Sequence, residues 1–257
     1  MFSPLRRMLL ACAILLPAML LPAQTKTLRI AAAADLQPVL PSLIHNFEKS
    51  SGAKVEVSYA SSATLATQIL NGAPYDLFLA ANLDFPQKVV AANLAEEPAP
   101  ITYAQGSLVL WAHHGLFHHG LSMQSLTSPT VHRIAVANPV HAPYGAAAMA
   151  AIQSLGLTAA LQPKLVFAEN IGQAAQFGQS GNADCALISK TLAITKTMQQ
   201  AGRFVAVPAS AYPPILQGAV VMRNASNKQT ALDFLHYLQS PAGRNLLATG
   251  GLVPPAH

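Results

Sequence analysis

The sequence predicts an α/β protein of two lobes, each a mostly parallel sheet flanked by helices, with a ligand cleft between them. Two observations lead there. From Leu28 onward, short apolar runs alternate with amphipathic segments, which is the pattern of repeated βα units whose sheets are covered on both faces. Several of the strand-to-helix turns are also built from small and hydroxyl residues, and ligands in open α/β sheets sit at the carboxyl ends of strands.

Thr27 to Ala33 reads as the first strand, and Leu36 to Ser50 as a helix with Leu36, Leu40, Leu43 and Phe47 on one face. Lys54 to Tyr59 alternates as a strand does, Thr64 to Leu70 is a short helix stopped near Gly72, Tyr75 to Ala80 a buried strand and Phe85 to Ala92 a helix. The pattern changes around Ala99 to Gly106. A second set of units follows: strands at Ser107 to Ala112, Arg133 to Ala137, Lys164 to Phe167 and Ala183 to Ile188, with helices at Gly145 to Leu155 and Gly172 to Ser180. Tyr212-Pro213-Pro214 marks a return crossing, Gly218 to Met222 rejoins the first lobe, and helices at Lys228 to Leu238 and Pro241 to Ala248 finish it. The expected division is 1–23 leader, 24–103 first lobe, 104–212 second lobe and 213–257 return segment.

Four turns carry the chemistry: Ala32-Ala33-Ala34-Asp35-Leu36, Ser58-Tyr59-Ala60-Ser61-Ser62, Asn138-Pro139 through Tyr144-Gly145, and Glu169-Asn170-Ile171-Gly172. A helix start leaves backbone N–H groups without intrahelical acceptors and carries the positive end of the macrodipole, so such a turn can hold an anion. None of the four contains Lys or Arg. Singly, each reads as an ordinary N-cap. Together they describe a cage of neutral donors.

The order of these turns resembles the periplasmic molybdate-binding proteins of ABC uptake systems. The likeness runs from about Leu28 to the C-terminus and is carried by Tyr59-Ala60-Ser61-Ser62, Thr64-Leu65-Ala66, Gly72-Ala73-Pro74, Asp76-Leu77-Phe78, Asn138-Pro139, His141, Pro143, Gly145, Pro163-Lys164-Leu165 and Ala168-Glu169. The resemblance implies the two-lobe periplasmic binding protein fold of type II, capture of molybdate and also tungstate, delivery to a membrane-embedded ABC permease, a monomer, and a periplasmic location. It implies no cofactor, no catalysis and no free-cation site, the metal being held only as its oxyanion through the same residues. It places ligand contacts at Ala34, Asp35, Ser62, Tyr144, Ile171 and Ser189. Ser62 matches a ligand serine, and Tyr144 and Ile171 match backbone-donor positions. Two positions depart from the pattern: Asp35 stands where the family has a serine, and Ser189 where many members place a tyrosine. A carboxylate facing a dianion repels it, so Asp35 is expected to turn away and cap its own helix, with Pro38 in the first turn. The rival expectation is that Asp35 bonds a protonated ligand.

Composition agrees with an exported binding protein. The chain has 257 residues, enough for a large core, with 52% hydrophobic and 10% charged residues. Arg6-Arg7, the apolar run from Met8 to Leu21 and Ala23 form a cleavable leader, too short and too Pro-interrupted for a comfortable membrane span. Leu9-Leu10-Ala11-Cys12 resembles a lipoprotein processing site, but too few apolar residues precede Cys12 for a normal apolar region, so the cleavable leader is the expected reading. Without Arg6 and Arg7 the formal charge falls from +5 to +3, with basic residues scattered, so nucleic acid is not an expected partner. Cys185 has no partner in the mature chain and reads as a small buried hydrophobe. His113-His114 and His118-His119 read as a loop, their spacing matching no usual zinc framework.

Two other functions fit the residues. One is the same fold holding sulfate, a phosphorus oxyanion or an organic acid. The other is an exported hydrolase using Ser62 or Ser189 with His141, although no Gly-x-Ser-x-Gly surrounds either serine.

Overall fold

A computed structural model describes residues 27–117 and 120–255. The leader, Cys12 and His118-His119 lie outside these residues. In chain order the first run is β1 (Thr27–Ala33), α1 (Leu40–Ser51), β2 (Lys54–Ala60), α2 (Ser62–Leu70), β3 (Leu77–Ala80), α3 (Asp84–Ala91) and β4 (Ile101–Gly106). The second is β5 (Leu108–His113), β6 (Ile134–Ala137), α4 (Pro143–Ser154), α5 (Thr158–Leu161), β7 (Leu165–Ala168), α6 (Ile171–Gln179), β8 (Cys185–Ser189), α7 (Lys190–Ala193), α8 (Lys196–Ala201) and β9 (Gly202–Ala206). The chain then returns through β10 (Ile215–Val221), α9 (Lys228–Gln239) and α10 (Pro241–Thr249).

Two five-stranded sheets result, ordered β2-β1-β3-β10-β4 and β7-β6-β8-β5-β9. They share one plan. In each, β1 or β6 pairs parallel with a neighbour on each side, and the two ladders made by β10 or β5 are antiparallel. Four of the five strands in each sheet therefore run the same way, as expected of a mostly parallel sheet, and the one reversed strand is the one that crosses from the other lobe, β10 or β5. Ala104 to Gly106, expected in the second lobe, pair with β10 in the first sheet. The chain changes sheets between Gly106 and Leu108, and returns between Ala206 and Ile215.

Burial follows the pattern of each segment. β3 is apolar and wholly buried, as a central strand covered on both faces requires, whereas β2 alternates exposed and half-buried residues at the edge. One face of the first sheet packs Leu40, Leu43 and Phe47 of α1 against Phe234 and Leu238 of α9; the other packs Leu65 and Ile69 of α2 against Phe78 and Val89. The second lobe closes around Trp111, whose indole N–H donates to the Met198 carbonyl at 3.0 Å. Within each sheet the first two parallel strands lie on opposite sides of the switch at β1 or β6, so the crevice opens at their carboxyl ends.

The helix expected from Leu36 starts four residues later. Ala34–Leu36 is a 3-10 turn, closed by Gln37 N–H to the Ala34 carbonyl at 3.3 Å and Val39 N–H to the Leu36 carbonyl at 2.9 Å. Pro38 and Pro41 have no N–H, so the i→i−4 ladder cannot form across them and α1 begins at Leu40. This delay keeps Asp35 at the tip of the turn.

Candidate functional site

Three true helix starts and the 3-10 turn converge where the two sheets face each other. At α2, the Ser61 hydroxyl caps the helix by accepting from the Thr64 N–H at 3.2 Å, and the Ser62 hydroxyl accepts from the Ala81 N–H at 3.0 Å, tying α2 to the end of β3. At α6, Asn170 Oδ1 accepts from the Gln173 N–H at 3.0 Å. At α4 the cap residue, Ala142, makes no side-chain bond, and Pro143 opens the helix. Gly145 is required there: a Cβ would lie 2.1 Å from the Ala137 carbonyl oxygen, so only glycine lets α4 start this close to β6.

Between these starts lies a small cavity, with about 10 Å³ of room for the centre of a water-sized sphere. The first lobe lines it with Ala33, Ala34, Asp35, Ala60, Ser61, Ser62 and Ala81, the second with Ala142, Pro143, Tyr144, Asn170 and Ile171. Five of the six expected site residues, Ala34, Asp35, Ser62, Tyr144 and Ile171, therefore meet in one place. The sixth does not. Ser189 is buried at the end of β8 and bonds the Thr191 hydroxyl at 2.8 Å, and Thr191 in turn donates to the Asp35 carbonyl at 2.7 Å. The short serine side chain reaches the neighbouring threonine and stops there.

The lobes are closed on each other. Ala63 N–H donates to the His141 carbonyl at 3.1 Å, the Thr64 hydroxyl reaches Glu169 Oε1 at 3.5 Å, and the Thr191–Asp35 bond crosses the same gap. His141 thus contributes its backbone, while its ring lies 3.9 Å from Glu169 at the rim. Neither Ser62 nor Ser189 has His141 as a hydrogen-bond partner; their hydroxyls are engaged by Ala81 and Thr191.

Asp35 corrects the expectation that it caps its helix. The turn has no side-chain cap, and the carboxyl group is fully buried in the cavity wall. Gln217 Nε2 donates to its Oδ2, the Tyr144 hydroxyl lies against the same carboxyl group, and Oδ1 has no partner in hydrogen-bond geometry. Gln217 is held in turn by Tyr103, whose hydroxyl donates to Gln217 Oε1 at 2.8 Å, and its Nε2 lies 3.2 Å from the Tyr144 hydroxyl oxygen. Burial lifts the Asp35 carboxyl to about 7, against smaller opposing effects of the Gln217 and Tyr144 hydrogen bonds. The same burial pushes the Tyr103 and Tyr144 hydroxyls well above their ordinary range, so both stay neutral. Among the described residues, the cavity wall holds no Lys, Arg or His.

Sequence reasoning missed Tyr103, Gln217 and Thr191, which come from β4, β10 and α7 and lie far from the four turns in the chain. One signal was present: Gln217 is a lone polar residue in the apolar run Ile215–Val221. A register shift between Gln217 and Gly218 marks a bulge, a device that re-aims a side chain.

The family model of the bacterial extracellular solute-binding proteins matches residues 28–253. The chain belongs to that family. Among its relatives is the molybdate-binding protein ModA of Azotobacter vinelandii, 33% identical over 244 residues, covering 95% of this chain and 92% of that protein. ModA of Rhodobacter capsulatus is 31% identical over 233 residues, covering 91% and 90%. The solved periplasmic molybdate-binding protein of Azotobacter vinelandii superposes with a TM-score of 0.83 at 32% identity, covering 89% of this chain and all of that one. No helix among the described residues is long and apolar enough to cross a membrane.

Proposed function

We propose that this solute-binding protein captures molybdate in the interlobe cavity and delivers it to an ABC permease. The observation that carries the reading is the cavity itself: helix starts from both lobes converge on it, with hydroxyls and, among the described residues, no cationic side chain. A tetrahedral dianion there is held by hydrogen bonds from backbone N–H groups of the α4 and α6 starts at Tyr144 and Ile171, from the 3-10 turn at Ala34 and Asp35, and from the Ser62 hydroxyl. Bonds to a charged acceptor contribute about 1.5–3 kcal/mol each, so these five together offset a large part of the lost hydration of the anion. Fixed neutral donors select by cage size, which favours molybdate and the similarly sized tungstate over sulfate. Ser189 acts through Thr191 and Asp35 instead of touching the solute.

Both lobes supply donors, so the closed arrangement alone satisfies all the oxygens and binding shifts the population toward closure. The permease reads the closed pair of lobes. The leader exports the chain as a monomer, and the site binds without turning its solute over. Relatives named as molybdate-binding support this reading. Titration calorimetry of anion-stripped protein tests it: one-to-one binding of molybdate, undisturbed by millimolar sulfate or phosphate, is the expected result. Heat from sulfate or phosphate with none from molybdate would assign the site to the smaller oxyanion.

A further inference from the structure

Among the described residues, Asp35 is the one side chain in the cavity wall that a dianion should repel, and none of its described neighbours is a cation that would neutralise it. The groups facing it can be taken element by element. β4 presents Tyr103, α4 presents Tyr144 and β10 presents Gln217; α7 presents Thr191, which bonds the Asp35 backbone carbonyl. The starts of α2 and α6 present Ser62, Asn170 and Ile171. Of these, only the two tyrosines titrate, and both are neutral. His141 and Glu169 sit at the rim and do not line the cavity.

The hydrogen bonds also fix where a proton on Asp35 resides. Tyr103 donates to Gln217 Oε1, which turns the amide so that its NH₂ faces Asp35. An amide NH₂ only donates, so Oδ2 is an acceptor. The proton of a neutral carboxyl group then sits on Oδ1, the buried oxygen without a partner. Resting on the oxyanion reading above, we propose that Asp35 enters the complex as a neutral acid whose Oδ1–H donates to an oxygen of the bound oxyanion, so that capture takes up one proton. Tyr103 and Gln217 are the positioning residues that aim it. An unpartnered buried polar atom is costly in the empty site, and the oxyanion oxygen satisfies it. Burial already holds the empty-site carboxyl near neutrality, and a dianion beside it favours the protonated form further.

The test is titration of sodium molybdate into the anion-stripped protein from about pH 6 to about pH 9, in buffers of different ionisation enthalpy, with Asp35→Asn and Asp35→Ser beside the native protein. Molybdate remains a dianion throughout, so any proton taken up belongs to the protein. The native protein should take up close to one proton per molybdate on the alkaline side, with affinity falling towards tenfold per pH unit above about pH 7. Both variants place a permanently neutral donor there and should bind without proton uptake and with a flat profile. Proton-neutral, pH-independent binding by the native protein would overturn the inference while leaving the oxyanion site standing. So would an unchanged slope in Asp35→Ser. Silence towards molybdate, sulfate and phosphate alike would overturn the oxyanion reading itself, and this inference with it.

Discussion

Gly106 makes room for the Tyr144 hydroxyl. A Cβ on Gly106 would lie 2.1 Å from Tyr144 Oη and 2.8 Å from Cζ, so the last residue of β4 in the first lobe is shaped around a side chain of the second. Tyr144 is itself 1% exposed and lies beside Gln217 and the cavity, so the contact couples closure of the lobes to the geometry of the site.

Gly106→Ala should therefore disturb binding more than folding. Displacing a buried ring by a methyl group costs about 1–3 kcal/mol where it cannot be relieved. Opening the lobes relieves this clash, so the cost falls on the closed, liganded form. Calorimetry should show molybdate affinity reduced by about tenfold or more, while the melting temperature without anion changes little.

Thr191→Val should weaken closure by a different route. It removes the donor to the Asp35 carbonyl across the cleft and leaves the Ser189 hydroxyl without its partner. One neutral hydrogen bond contributes about 0.5–1.5 kcal/mol, roughly two- to tenfold in Kd. Because Thr191 does not itself line the cavity, anion selectivity should be unchanged, which competition with sulfate checks.

The stability of the empty, closed protein should depend on pH through Asp35. Its folded carboxyl titrates near 7, against 3.8 for an ordinary aspartate, because burial disfavours the charged form. The penalty is absent below about pH 4, grows as pH rises from about 4 to 7, and is constant above; its upper bound is about 4 kcal/mol. Urea denaturation without anion should show native stability falling across that window relative to Asp35→Asn, in which the term is missing. Parallel curves for the two proteins would contradict the burial of a titrating carboxyl group.

Asp76 should prove structural. Its carboxylate accepts from the Arg29 N–H at 2.8 Å and the Asn227 N–H at 3.2 Å, joining the start of β1 to the segment that leads into α9. Asp76→Ala strands two backbone donors in a buried setting, for a loss of about 2–4 kcal/mol of stability. Molybdate affinity of the folded fraction should stay within about twofold, since Asp76 lies outside the cavity.

The chain's periodicity made most of the βα units legible, because buried strands such as Leu77–Ala80 and amphipathic faces such as Leu40, Leu43 and Phe47 are local patterns. The four turns were legible for the same reason. β9 was not, since Gly202–Ala206 is a half-exposed edge strand without a clear alternation. The direction of the crossing strands β5 and β10 is a property of topology that no local pattern encodes. Asp35 was misread because its role depends on Gln217, 182 residues away, and a sequence window sees only the proline-bearing turn beside it.

Anomalous diffraction at the molybdenum edge, from crystals of the protein grown with molybdate, tests the central claim most directly. The expected result is a single strong peak inside the interlobe cavity, its oxygens within hydrogen-bond reach of the Ser62 hydroxyl, the Tyr144 and Ile171 N–H groups and Asp35 Oδ1, with no Lys or Arg in contact. A peak elsewhere on the molecule, or a cavity holding a different anion while molybdate is present in excess, would contradict the account.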